Sequence, residues 1–247
     1  MSAILRVEGL VKVHGQEPSA QTVLRGVDFE LEAGRFACVM GPSGSGKSTL
    51  LHLISGLDEP TAGRVELAGR DLARLGAAAR TVLRREEVGY VFQFFHLLPN
   101  LTVEENVGLP LAIQGRSASE VDAAVAPLLA RFGIGARSHA FPHQLSGGEM
   151  QRTSIARALA GGQPLLLCDE PTGNLSQKAG LEVMRTLREV CDRDGRSVLL
   201  VTHNPRDATF ADEVRFLVDG EISTERVLRG PGLAVEAVHE ALAALAI

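Results

Sequence analysis

The run GPSGSGKST at 41–49 sets Gly41, Gly46, Lys47 and Ser48 at the spacing G-x-x-x-x-G-K-[ST]. Such spacing suits the holding of polyphosphate. Glycines let the backbone curl until successive amides point inward at anionic oxygens, and a helix that follows lends its positive end. Lys47 is placed to reach β- and γ-phosphates, and the Ser48 hydroxyl to meet Mg²⁺. The whole run, Gly41, Pro42, Ser43, Gly44, Ser45, Gly46, Lys47, Ser48 and Thr49, is the expected nucleotide cradle.

PLLLCDE supplies the other half of such a site. Asp169, ending an apolar run, is expected to hold Mg²⁺ through water, and Glu170 to polarise an attacking water as general base. His203 closes VLLVTHN, where an imidazole can contact a γ-phosphate and orient that water. Gln93, in YVFQF, follows a further apolar run and reads as a sensor of metal and water. Singly, each has a structural reading: a glycine-rich turn, acids opening a turn, a polar residue closing a strand. Their presence in one chain favours the nucleotide site. LSGGEMQR at 145–152 adds two glycines at the start of a helical pattern, either a second anion bed or a plain helix cap.

These residues need elements to position them. Residues 4–40 read as strands, ending in the apolar FACVM. STLLHLISGL (48–57) is apolar nearly all round, as a core helix is. GRVELAG and VGYVFQ read as short strands. From about 100 to 160 the pattern turns helical, with capping boxes at Thr102/Glu105 and Ser117/Glu120. QPLLLCDE and RSVLLVTH are unbroken apolar runs, the mark of parallel strands covered on both faces. VDGE at 218–221 suits a hairpin turn, and AVEAVHEALAALAI an amphipathic helix. The expected class is α/β, one domain over 1–247: core at 1–92 and 162–225, a helical insertion at about 93–161, and a tail at 226–247.

The chain has 247 residues, 45% of them hydrophobic, enough for one sizeable core. Its formal net charge of −5 disfavours a broad nucleic-acid face. Three cysteines, Cys38, Cys168 and Cys191, at unrelated spacings fit neither a disulfide scaffold nor a zinc site, and point to a reducing compartment. The first residues show no basic start before an apolar core, so no signal peptide is expected. No run approaches ~20 uninterrupted apolar residues, so any work at a membrane is done from one side.

In this order, the P-loop, Gln93, LSGGE, LLLCDEPTGNL and His203 resemble the nucleotide-binding subunit of ABC transporters, over roughly residues 4–225. LLHLISGLDEPTAG, FHLLPNLTVEENVGLPL and DEPTGNL look most like the lipoprotein-release and macrolide-export branch. The resemblance implies ATP and Mg²⁺ as cofactors. It also implies a homodimer in which each ATP lies between the P-loop of one copy and Ser146, Gly147, Gly148 and Glu149 of the other. It implies a permease docked near Phe94–Asn100, and a cytoplasmic place on the inner face of the membrane. Two residues depart from the family pattern. His14 stands where an aromatic usually stacks on adenine, and Ser176 where an Asp usually ties the two sites together.

Competing classes are a soluble ABC ATPase of DNA repair or translation, and a regulatory scaffold with little turnover. One motif set, no long heptad run and no metal-ligand cysteines disfavour the first. Glu170 and His203 disfavour the second, which Ser176 keeps open.

Overall fold

In the computed structural model, which describes residues 3–15 and 18–246, β1 (Ala3–His14) pairs antiparallel with β2 (Gln21–Glu32). Leu5, Val7 and Leu10 on one strand, and Leu24, Val27, Phe29 and Leu31 on the other, are buried. Most of the residues between them face outward, the pattern of an antiparallel sheet with one wet face. β3 (Phe36–Met40) is buried along its length and leads through the phosphate loop into α1 (Lys47–Ile54). The chain returns to the first sheet with β4 (Ala62–Leu67) and β5 (Arg70–Asp71), giving the order β2-β1-β4-β5.

Residues 77–87, to which the sequence reading assigns no element, form α2 (Ala77–Glu87). Leu83 is its one buried residue, so the segment lacks the apolar stripe that announces a helix. After β6 (Val88–Val91) come α3 (Val103–Ile113), α4 (Ala118–Arg131) and α5 (Gly147–Leu159). The expected capping boxes are present: Glu105 accepts from the Thr102 amide at 2.7 Å, and Glu120 from the Ser117 amide at 2.8 Å.

The remaining elements are β7 (Leu165–Asp169), α6 (Gln177–Asp194), β8 (Ser197–Thr202), α7 (Pro205–Ala208), β9 (Glu213–Val218), β10 (Glu221–Ile222), β11 (Leu228–Arg229) and α8 (Val235–Ala244). They complete a second sheet of order β10-β9-β3-β8-β7-β6, with β11 on β9. β6, β7, β8, β3 and β9 run parallel. Asp219 and Gly220 turn β9 into β10 with φ of 48° and 84°, the paired positive φ of a tight hairpin. The tail helix α8 packs on α7 and buries Val238 and Ala241.

Alternate residues of the parallel strands serve two apolar clusters. Phe36, Cys38, Met40, Leu166, Cys168, Val198 and Leu200 meet α5 and α6, whereas Ala37, Val39, Leu165, Leu167, Leu199 and Val201 meet α1 and the antiparallel sheet. Each fully buried aliphatic side chain contributes about 1.5–3 kcal/mol, which rigidly fixes the ends of these strands. Cys38 and Cys168 are wholly buried, where burial pushes both thiols upward, and they act as packing.

Candidate nucleotide site

Register brings the chemistry together. Met40 pairs with Thr202 and Asp169 with Val201, so the phosphate loop, the Asp169–Glu170 pair and His203 all leave the sheet at one edge. That edge, beyond the carboxyl ends of parallel strands, is where open α/β sheets bind ligands.

The loop needs its glycines. A Cβ on Gly41 would lie 2.2 Å from the Leu217 carbonyl oxygen. Gly46 has φ of 102° and begins α1 without a side-chain cap, so the first-turn amides are left for an anion. The Lys47 ammonium donates to the Gly41 and Pro42 carbonyls at 2.8 Å each and lies 3.9 Å from Glu170. Burial lowers its pKa, while the nearby charges of Glu170 and Asp169 oppose the change. A cavity of about 670 Å³ adjoins the loop, lined by Val23, Pro42, Ser43, Gly44 and the β9–β10 turn. His14 is exposed at the end of β1, in register with Gln21.

The Ser48 hydroxyl donates to Asp169 Oδ1 at 3.1 Å. Burial raises the Asp169 carboxyl, and the Ser48 bond works against it. One hydroxyl and one carboxylate side by side fit Mg²⁺, which takes few protein ligands and completes its shell with phosphate and water. No cluster of three or more acidic, histidine or cysteine ligands exists among the described residues. Gln93 is elsewhere. Its backbone oxygen accepts from Asn174 at 3.0 Å, and its side chain lies against Gly173. No hydrogen bond joins it to Ser48 or Asp169 among the described residues.

Glu170 holds φ of 47°, a left-handed conformation unusual for a side-chain-bearing residue. Its amide donates to the Val201 carbonyl at 3.0 Å, and its carboxylate meets His203 Nδ1 at 2.8 Å. Glu170 is 14% exposed and His203 58%, so the acid is sheltered and the ring faces outward.

Ser146 caps α5 and forms a third capping box. Its hydroxyl accepts from the Glu149 amide at 3.3 Å, and its own amide donates to Glu149 at 2.8 Å. Those bonds hold the Glu149 carboxyl below its ordinary range, with Arg137 at 3.1 Å adding to them. Glu149 therefore braces the helix start, and Gly147 and Gly148 leave its first turn bare. Gly147 packs near Leu175 and Phe95. Nothing joins residues 146–149 to the phosphate loop among the described residues.

Three contributors were not legible in the sequence. Gln151, fully buried, donates from α5 to the Pro171 carbonyl at 2.8 Å. Arg157 donates from the same helix to the carbonyls of Phe95 and His96 at 2.8 and 2.6 Å. Asp207, 5% exposed, accepts from Thr172 and Asn204. Each acts through tertiary contacts, which no spacing announces.

The family model described as ABC transporter matches residues 24–173. The lipoprotein-releasing system ATP-binding protein LolD 2 of Caulobacter vibrioides is 45% identical over 224 residues, 91% of this chain and 98% of that protein. The macrolide export ATP-binding/permease protein MacB of Shigella flexneri is 42% identical over 222 residues, 90% of this chain and 34% of its own length. The cassette MJ0796, solved as a dimer in a post-hydrolysis state bound to ADP and Pi, superposes with a TM-score of 0.83 at 36% identity, covering 91% of this chain and 98% of that one. The matched segment holds both the phosphate loop and the acid pair at the same sheet edge, and on these grounds the chain belongs to the ABC transporter family as an ATP-binding, ATP-hydrolysing domain.

Proposed function

We propose that two copies of this chain close head to tail over two ATP molecules and so power a membrane permease of the lipoprotein-release or macrolide-export kind. The carrying observation is that the Lys47–Glu170–His203 edge and the bare helix start at Ser146 share no hydrogen bond or ion pair among the described residues. Two anion beds that do not meet in one copy are complementary across two. Solved dimers of MJ0796 support the arrangement, as do the names of the LolD and MacB relatives.

In this reading Lys47 and the loop amides of residues 41–49 hold the β- and γ-phosphates, while His14 lies beside adenine. Ser48 and Asp169 would hold Mg²⁺, which when bound would neutralise charge at the phosphates, with Gln93 as its sensor from the 92–95 turn. Glu170 takes the proton of the attacking water. His203 donates to Glu170 through Nδ1; to donate also to a phosphate oxygen through Nε2, the ring must carry both protons. From the opposite copy, Ser146, Gly147 and Gly148 meet the γ-phosphate, with Glu149 bracing their helix.

The permease docks near Phe94–Asn100. Phe94 and Leu98 are 67% and 44% exposed there. A groove of about 440 Å³ alongside is lined by Tyr90, Phe92, His96, Pro110 and Ile113. No helix among the described residues is long and apolar enough to cross a membrane, so attachment to the inner face runs through the permease. Purifying the tagged chain from its own membranes tests the assignment. A bound permease with ATPase activity lost in Glu170→Gln is expected, and hydrolysis with no membrane partner would contradict it.

A further inference from the structure

Behind the Glu170–His203 pair sits a carboxylate with no part in the mechanism so far. Asp207 lies on α7, 5% exposed. Its Oδ2 accepts a short hydrogen bond from the Thr172 hydroxyl, and its Oδ1 accepts from Asn204 Nδ2 at 3.2 Å. Thr172 stands two residues past Glu170, and Asn204 directly follows His203. One side chain thus joins the turn leaving β7 to the turn leaving β8.

The rest of the network leaves Asn204 little freedom. Its Oδ1 accepts from the Arg206 amide at 3.1 Å, and its own amide donates to Thr202 Oγ1 at 3.0 Å. Glu170 meanwhile holds its left-handed φ of 47°, a conformation that persists only where surroundings impose it. Gly173 donates to the Glu170 carbonyl at 3.0 Å, so the turn is held from below by its backbone and from the side by Thr172.

Burial raises the Asp207 carboxyl to about 6; Thr172 opposes that, the charge of Glu170 adds to it, and Thr202 and His203 oppose it. On the neighbouring elements, Lys178 of α6 and Arg206 of α7 line the same cavity, and the Cys38 thiol of β3 lies within reach of its charge. An ionised side chain in that position works against folding, and an aliphatic one would pack there at no such cost. Its two hydrogen bonds make sense as a means of fixing geometry.

We propose that Asp207 is a positioning residue for hydrolysis: by tying Thr172 to Asn204 it holds Glu170 and His203 at bonding distance. The proposal rests on the ATPase reading above, and its test separates the two.

The test uses the full chain, with kcat and KM for ATP measured from pH 5.5 to 8.5 for wild type, Asp207→Leu, Asp207→Asn and Glu170→Gln, alongside melting temperatures. Misplacement of reacting groups by about 1 Å costs up to about 100-fold. Asp207→Leu is expected to lose about tenfold or more in kcat with KM little changed and no loss of melting temperature at pH 7.5. Asp207→Asn, which can still bond both partners, is expected to recover most of that loss and, as the isostere of the protonated acid, to follow the wild-type pH profile of kcat. A folded Asp207→Leu with wild-type kcat, or parallel losses of kcat, affinity and melting temperature, overturns the positioning role. So does an Asp207→Asn variant that melts no lower than wild type yet loses tenfold in kcat, which decides the matter even if the leucine variant does not fold. Wild-type turnover that survives Glu170→Gln defeats the underlying reading instead.

Discussion

His203 Nδ1 lies 2.8 Å from the Glu170 carboxylate, although 33 residues separate them in the chain. Adjacent parallel strands, with Asp169 opposite Val201, deliver the two side chains to one point. The pair divides the labour by exposure, since Glu170 is sheltered and His203 opens to the ligand side.

Replacing Glu170 by Gln keeps the size and an acceptor for His203 but removes the base. Loss of a general base costs about 10²–10⁴-fold, so kcat should fall into that range with ATP affinity preserved. Stopped-time phosphate release and equilibrium nucleotide binding measure the two separately. Equal loss in both would show that Glu170 holds the fold of the site instead of the proton.

Asp169 and Ser48 make a second, separable claim. Asp169→Asn retains an acceptor for the Ser48 hydroxyl, whose bond is 3.1 Å, but lacks the charge that favours Mg²⁺. Half-maximal hydrolysis should then need several-fold more Mg²⁺, and nucleotide binding without metal should be unchanged. A Mg²⁺ titration that superposes on wild type would remove Asp169 from the metal site.

The pH dependence of stability carries a sign that Asp207 sets. Its carboxyl rises from an ordinary 3.8 to about 6 in the fold, a shift equivalent to about 3 kcal/mol. The folded state therefore holds the proton more tightly. Stabilisation from this group is full below pH ~3.8 and is lost as pH rises through ~6. Asp207→Asn should accordingly melt a few degrees higher than wild type at pH 8, and the gain should shrink towards pH 4. A variant that melts lower at pH 8 would make Asp207 a net contributor to stability.

Much of this was legible in the sequence, for local reasons. The phosphate loop is one contiguous run whose glycines have a backbone purpose, and Gly41 shows it in the 2.2 Å approach of Leu217. Strands β3, β7 and β8 are buried on both faces and so read as unbroken apolar runs. Capping at Thr102 and Ser117 follows from a three-residue spacing. What the sequence hid is tertiary. Helix α2 buries one residue, Leu83, and so has no period to read. Gln151 and Asp207 look like ordinary surface polar residues until the fold buries them against Pro171 and Thr172. Glu149, expected in the anion bed, also meets Arg137 twelve residues away, a contact its capping-box spacing does not announce. Exposed Phe94 was visible as a docking candidate, but the groove beside it draws Tyr90 and Ile113 from β6 and α3.

Ser176 bears on coupling between copies. Its hydroxyl accepts from the Ala179 amide at 3.4 Å, capping α6 as an aspartate also can. Ser176→Asp should leave the melting temperature unchanged while adding a charge whose hydrogen bonds run roughly twice as strong as neutral ones. ATP hydrolysis should become faster or more cooperative. An unchanged rate and Hill coefficient would show that position 176 does not link the sites.

The size of Glu170→Gln at saturating Mg-ATP tests the shared-pocket arrangement most directly. Sedimentation should show the 26.3 kDa chain shift to twice its mass with ATP. Adding Ser146→Arg should abolish the shift while leaving ATP bound, because Lys47 and its loop are untouched. A chain that stays monomeric with ATP bound, or a dimer indifferent to Ser146→Arg, would contradict the pairing of residue 146 with the neighbouring copy's phosphate site.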